Sequence, residues 1–183
     1  MRTRLRDAYR PVTAGTPAEH PGGYNRPPLM EIVGDFDGSQ IRAGVVVARW
    51  NAAVTDRLEA GALDALRRHG VPDDRITVVR VPGAFEVPSA ARLLLAHDRV
   101  DGVVGIACVI RGETSHYDYI CDAAIGGLAA IGRETGRPVT CGVVTAENFE
   151  QALQRAGGKH GNKGFEAAVA LLECHSLARR IAR

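Results

Sequence analysis

Long apolar runs are missing from this chain of 183 residues. The longest near the middle, Gly102 to Ile110, stops at Arg111, far short of the roughly 20 residues a membrane helix needs. The chain also lacks an excess of either charge. Twenty-three Lys and Arg face 21 Asp and Glu, for a net charge of +2. That balance makes no electrostatic case for nucleic acid or an anionic membrane. No apolar stretch follows the N-terminal arginines, so no signal peptide is expected. Cys108, Cys121, Cys141 and Cys174 form no CxxC and no metal-ligand spacing. They are expected as free thiols in a reducing cytoplasm. Tryptophan is nearly absent, and Trp50 is the only one.

What is present suits an ordinary globular protein. The hydrophobic share of 45% excludes a wholly disordered chain, and the length suits one domain with a sizeable core. Residues 1–28 differ from the rest. Pro11, Pro17, Pro21, Pro27 and Pro28 are five of the nine prolines, and large apolar side chains are few. Such a segment buries too little to offset its ordering entropy, so a flexible extension is expected. Leu29–Val33 is expected as a short edge strand, and the compact domain from about Ile41.

From there strands and helices alternate. Ala43–Arg49 is a continuous β-branched run, the mark of a strand buried on both faces. The next helix has Thr55 as its expected cap and Leu58, Ala62, Ala65 and Leu66 as its apolar stripe. Gly70 and Pro72 end it. Ile76–Val81 reads as a strand, Pro88–His97 as a helix and Val103–Ile110 as a third buried strand. His116–Glu134 is a long helix ended by Gly136 and Pro138. Val139–Val144 is the fourth strand. Thr145 is the expected cap of a short helix carrying Phe149, Ala152 and Leu153. A Gly/Lys loop, Gly157–Gly164, precedes a last helix with Phe165, Val169 and Leu172. This alternation implies a parallel sheet covered on both faces.

In such a sheet ligands bind beyond the carboxyl ends of the strands, where the unusual residues concentrate. In Arg111–His116 (RGETSH) a strand gives way to a helix. Helix-start N–H groups favour an anion, and Thr114 and Ser115 add hydroxyls. His116 sits where the helix dipole disfavours the imidazolium, which suits a neutral general base and acid. The alternative is a capping loop with an exposed histidine, but the place at a strand end favours the functional reading. Trp50 offers a flat face to a heteroaromatic ring, or packs as a core or interface aromatic. In Val81–Glu86, Gly83 allows close backbone approach, and Glu86 can take polyol hydroxyls or complement the next helix. Gly157–Gly164 fails as a P-loop, because Asn162 precedes Lys163, Gly164 follows it and the loop joins two helices. No GxGxxG follows a strand. Arg155, Lys159 and Lys163 can still hold a phosphate, or form a solvated basic loop.

Four motifs now stand in order: ARWN (Ala48–Asn51), VPGAFEVP (Val81–Pro88), VIRGETSHYDYI (Val109–Ile120) and QALQRAGGKHGNKGFEAA (Gln151–Ala168). Over roughly Ile41–Glu173 the chain resembles the 6,7-dimethyl-8-ribityllumazine synthase family, which performs the penultimate step of riboflavin biosynthesis. The resemblance implies a three-layer flavodoxin-like sandwich with a central parallel four-stranded sheet over 29–183. It implies a transferase that condenses 3,4-dihydroxy-2-butanone 4-phosphate with 5-amino-6-(D-ribitylamino)uracil, without metal or organic cofactor. His116 matches the acid/base histidine. Arg155 matches the arginine on the butanone phosphate, beside the loop Gly112, Glu113 and Thr114. Trp50 matches the ring stacked on the pyrimidine, followed by Asn51. Ala84, Phe85 and Glu86 match the ribityl contact, and Val109 and Ile110 the backbone facing the pyrimidine. Lys163 and Glu166 match a charged pair near the phosphate.

Trp50 stands where phenylalanine is commoner. Cys141 stands where many relatives close the pocket from the neighbouring subunit with phenylalanine, a loss of aromatic area. The resemblance also implies a cytoplasmic homo-oligomer, with sites between neighbours, built as pentamers, paired pentamers or icosahedral shells. Gly157–Gly164 has no insertion relative to shell-forming relatives, which favours the shell. Riboflavin synthase is an implied partner; nucleic acid and membrane are not. The competing readings are a flavin- or lumazine-binding protein, or a shell-forming protein, of the same fold without catalysis. A signalling domain of this fold needs acidic residues at the first strand's end, where Arg49, Trp50 and Asn51 stand instead.

Overall fold

β-branched residues fill the strand β1 (Ala43–Ala48), and every residue of it is buried. A strand apolar on both sides needs cover on both sides, and helices provide it. A computed structural model describes residues 29–182. The extension expected over 1–28 lies outside the described residues. Contacts divide the chain into Met1–Glu31 and Ile32–Arg183, and every element below lies in the second unit.

After β1 come α1 (Ala52–Arg68), β2 (Ile76–Val81), α2 (Val87–Ala96), β3 (Gly102–Ile110), α3 (His116–Thr135) and β4 (Val139–Ala146). Then follow α4 (Phe149–Gln154), the short strands β5 (Ala156–Gly158) and β6 (Gly161–Asn162), and α5 (Lys163–Ile181). The sheet runs β2-β1-β3-β4, and every pairing within it is parallel. On one face Val45, Val47, Val104 and Ile106 pack with Leu58 and Leu66 of α1 and Leu171 and Leu172 of α5. On the other, Val46, Val103 and Ala107 meet Val87 and Ala91 of α2 and Leu128 of α3. Fully burying such a side chain contributes about 1.5–3 kcal/mol. The result is the three-layer, flavodoxin-like arrangement expected.

Several local expectations are corrected. Leu29–Val33 forms no strand; Leu29 and Met30 are exposed and bury nothing that would hold one. The packed structure begins before Ile41. Asp35 N–H donates to Ser176 Oγ at 3.1 Å, and Arg180 donates to the Val33 carbonyl at 2.6 Å. Thr55 does not cap α1; it is buried inside the helix, and Asn51 holds the cap position. Thr145 belongs to β4, and the cap of α4 is Asn148, whose Oδ1 accepts from Gln151 N at 2.9 Å.

Gly157–Gly164 is not an open loop. β5 and β6 pair antiparallel, and positive φ at Gly157 (103°) and Gly161 (80°) lets the chain reverse there. Helix α5 therefore starts at Lys163, ahead of the expected Phe165. Asn162 caps it, accepting from Gly164 N at 2.9 Å and Phe165 N at 3.1 Å.

Candidate functional site

The register decides which residues meet. Val47 pairs with Ile106, so β3 continues through Cys108 to Ile110 after β1 has ended. The chain leaving β1 then lies against the last residues of β3. Asn51 makes the join. Its backbone is left-handed (φ 60°, ψ 42°), a conformation asparagine tolerates better than most residues. Its Nδ2 donates to the Cys108 carbonyl at 2.8 Å, which explains why the side chain does not cap α1.

Trp50 is held from the other flank. Its N–H donates to the Pro82 carbonyl at 3.1 Å, tying the β1 exit to the β2 exit. The indole lies over Gly83, where a Cβ would sit 2.5 Å from the ring. Only glycine lets the ring lie so close. Trp50 is 65% exposed, which excludes the core-aromatic reading and leaves the ring face open.

Between these exits and the start of α3 is a cavity of about 260 Å³. Trp50, Asn51 and Ala84 line one side, and Cys108, Val109 and Ile110 the floor. Gly112, Thr114 and His116 line the other side with Tyr117 and Ile120. His116 is the first residue of α3 and is exposed. Ser115 at the cap position makes no side-chain capping bond, so the first-turn N–H groups keep no side-chain oxygen. Burial pushes the Cys108 thiol up to about 11. It is therefore a neutral wall near pH 7, since the thiolate is the nucleophilic form.

Tyr117, Ile120 and Cys108 were not singled out from the sequence as site residues. Two of them had a signal. Ile120 lies four positions after His116 and so shares its helix face, and Tyr117 is its chain neighbour. Burial also raises the Tyr117 pKa. Arg111 covers the ring, its guanidinium carbon 4.1 Å from the centroid.

Other expected site residues stand apart from the cavity lining. Phe85 is 59% exposed, next to Ala84. Glu86 Oε2 accepts from Gly83 N at 2.9 Å, so one carboxylate oxygen is occupied by the turn under Trp50, the helix-complementing role. Glu113 is exposed in the loop before α3. Cys141 pairs in register with Gly105 and is exposed on the edge strand β4.

The remaining cations gather elsewhere. Lys163 N–H donates to the Arg155 carbonyl at 2.9 Å, so the β5–β6 reversal brings the two ends of the glycine-rich segment together. Lys163 Nζ pairs with Glu166 Oε2 at 2.5 Å. The reversal is fastened to α1 by Asn162, whose Nδ2 donates to the Arg57 carbonyl at 2.8 Å. Gly164 lies against α1 so closely that a Cβ would fall 1.9 Å from the Leu58 carbonyl oxygen. Neither Arg155 nor Lys163 lines the Trp50–His116 cavity.

Among the described residues no group of three or more His, Cys, Asp and Glu could hold a metal ion. No helix among them is long and apolar enough to cross a membrane. The model of one protein family, described as 6,7-dimethyl-8-ribityllumazine synthase, matches residues 40–179. The matched span contains the cavity, the β5–β6 reversal and every site residue expected from the sequence.

Proposed function

We propose, from the premise that the chain belongs to the 6,7-dimethyl-8-ribityllumazine synthase family, that it condenses 3,4-dihydroxy-2-butanone 4-phosphate with 5-amino-6-(D-ribitylamino)uracil. The products are 6,7-dimethyl-8-ribityllumazine, phosphate and water, the penultimate step of riboflavin biosynthesis. The observation that carries this reading is one cavity at the strand ends onto which Trp50 and His116 both open, inside the matched span.

The chemistry suits these side chains. An aromatic amine attacks a ketone, water leaves to form an imine, phosphate is eliminated, and the ribitylamino nitrogen closes the ring onto the remaining carbonyl with loss of a second water. Each stage moves protons, so a single histidine at the cavity mouth can serve repeatedly. Trp50 supplies a face on which the pyrimidine stacks. The backbone of Val109 and Ile110 faces the pyrimidine, with Asn51 beside it. Ala84, Phe85 and Glu86 take the ribityl chain. Gly112, Glu113 and Thr114 present the open helix start to the phosphate. Holding both reactants in one orientation can supply about 7–11 kcal/mol of the barrier reduction.

Arg155 and Lys163 are assigned to the phosphate, where a guanidinium binds bidentately. Because they lie outside this chain's cavity, the reading places them in the cavity of a neighbouring copy, with Cys141 facing the pyrimidine there. The working form is then a homo-oligomer, pentameric or a shell of pentamers, in the cytoplasm. Riboflavin synthase is the proposed consumer of the product.

The test is incubation of the purified protein with both substrates while lumazine fluorescence is followed. Turnover is expected. Absence of turnover together with tight flavin binding would move the assignment to a flavin- or lumazine-binding protein on the same fold.

A further inference from the structure

Arg111 stands between the floor of the cavity, Ile110, and the exposed loop Gly112–Ser115 that leads to His116. Its main-chain N–H donates to the Ala146 carbonyl at 2.9 Å, extending the β3–β4 ladder by one bond. Its side chain then reaches three places at once. Nε donates to Glu147 Oε1 at 3.1 Å, just past the end of β4. Nη2 and Nη1 donate to the Asp118 carboxylate in the first turn of α3, at 3.1 and 3.4 Å. The flat face of the guanidinium covers the Tyr117 ring, and that ring is part of the cavity wall.

The loop itself has little else to hold it. Residues 112–116 are all exposed, and nothing lies within 4 Å of where a Gly112 Cβ would be. Its position is therefore set by its two ends, and Arg111 bridges them. A cation beside an anion-binding loop invites the view that it binds the phosphate itself. The geometry argues otherwise, because Nε and both terminal nitrogens already face carboxylates and one face is covered by Tyr117. A lysine could supply the charge but neither the fork nor the flat face.

We infer that Arg111 is a positioning residue, a clamp from β4 to α3 that holds Gly112–His116 and the Tyr117 wall opposite Trp50. The inference deepens the functional reading above and rests on it. Each exposed ion pair alone adds little to stability, so the consequence should fall on the site rather than on the fold.

The test compares Arg111→Lys, Arg111→Gln, the double variant Asp118→Asn/Glu147→Gln, and the triple combination with Arg111→Gln, all in the full chain. Steady-state kinetics on both substrates are measured beside denaturant midpoints. Loss of about 10-fold in kcat/KM is expected for both Arg111 variants, as for a modest misplacement of reacting groups. The double variant should reproduce most of that loss with Arg111 intact, and the triple should add little, with midpoints nearly unchanged. Wild-type kcat/KM in Arg111→Lys would show that charge alone suffices and overturn the clamp. So would full activity in the double variant, which would put Arg111 on the substrate itself.

Amide hydrogen exchange gives a readout independent of turnover. Faster exchange over 112–117 in Arg111→Gln, with β1 and β3 unchanged, supports the clamp; unchanged exchange there overturns it. A wild-type chain without turnover would sink the functional reading, and the exchange comparison would still decide the clamp.

Discussion

The cavity at the strand ends and the corner formed by α4, β5, β6 and α5 are built on opposite plans. The cavity has walls. Its floor is β3 backbone, its sides come from three strand-to-helix junctions, and Asn51 and Gly83 fix the approach of the Trp50 ring. It contains a histidine but neither Arg155 nor Lys163. The corner has those cations, outside that cavity. Its geometry is equally determined, by glycines with positive φ and by Asn162, but it presents Arg155 outward. Two well-defined halves with complementary chemistry, set apart in one chain, are what a site shared between copies would require.

The largest expected effect is on proton transfer. His116→Ala should lower turnover by about 10²-fold, the lower end of general acid–base contributions. Unchanged turnover would remove His116 from the mechanism. The same variant can break the comparison of the two halves. Chains carrying His116→Ala are co-assembled with chains carrying Arg155→Ala, each weak alone. Activity well above either parent is expected, because some neighbouring pairs combine an intact His116 with an intact Arg155. Mixed assemblies without recovery would place both halves of the site in a single chain.

Arg155→Ala by itself should weaken the butanone phosphate by roughly 10- to 100-fold, the loss of a charge-assisted contact. The pyrimidine should hardly notice. Equal loss for both substrates would mean that Arg155 supports the corner or an interface instead. Next in size is Gly83→Ala. A Cβ there collides with the Trp50 ring, so the indole must shift. A several-fold rise in KM for the pyrimidine is expected, in keeping with about 0.5–1.5 kcal/mol for an aromatic pair. An unaltered KM would deny Trp50 its stacking role.

The smallest effect lies away from both the cavity lining and the β5–β6 reversal and serves as a control. His175 on α5 is half-buried, and its Nε2 is buried without a hydrogen-bond partner among the described residues. Burial lowers its pKa, helped by Arg179 and opposed by Asp101. The unfolded histidine titrates near about 6.5, so on acidification the unfolded chain takes up the proton first. Stability contributed by the neutral ring is then lost as pH falls below that value and levels off under the folded one. His175→Leu should flatten this part of the thermal-stability profile and leave kcat/KM unaltered. Parallel profiles for the two proteins would rule out His175 as the source.

The fold was largely legible because its strands announce themselves. An apolar, β-branched run such as Val45–Val47 has few stable placements other than the middle of a covered sheet. The glycine stops at Gly70 and Gly136 were also readable, since both adopt the positive φ that few other residues tolerate. Caps were less legible. Thr55 and Thr145 have suitable side chains, but Asn51 and Asn148 occupy the positions. A cap is chosen by where the strand before it ends, and that end is fixed by pairing with other strands. Leu29–Val33 has strand-forming residues without a partner strand, and propensity alone does not make a strand.

By itself the sequence determined the alternation of elements, the helix faces and the strand-end motifs, because periodicity and turn chemistry are local. It also carried the family likeness, through motifs in fixed order. Only the tertiary structure decided that Asn51 reaches the Cys108 carbonyl and that Gly83 lies under Trp50. It alone decided that Lys163 closes onto Arg155, and that Arg111 spans from β4 to α3. Each of these depends on the register between strands or on the angle at which a chain leaves one. Register is set by the whole packed sheet, so no segment read alone contains it.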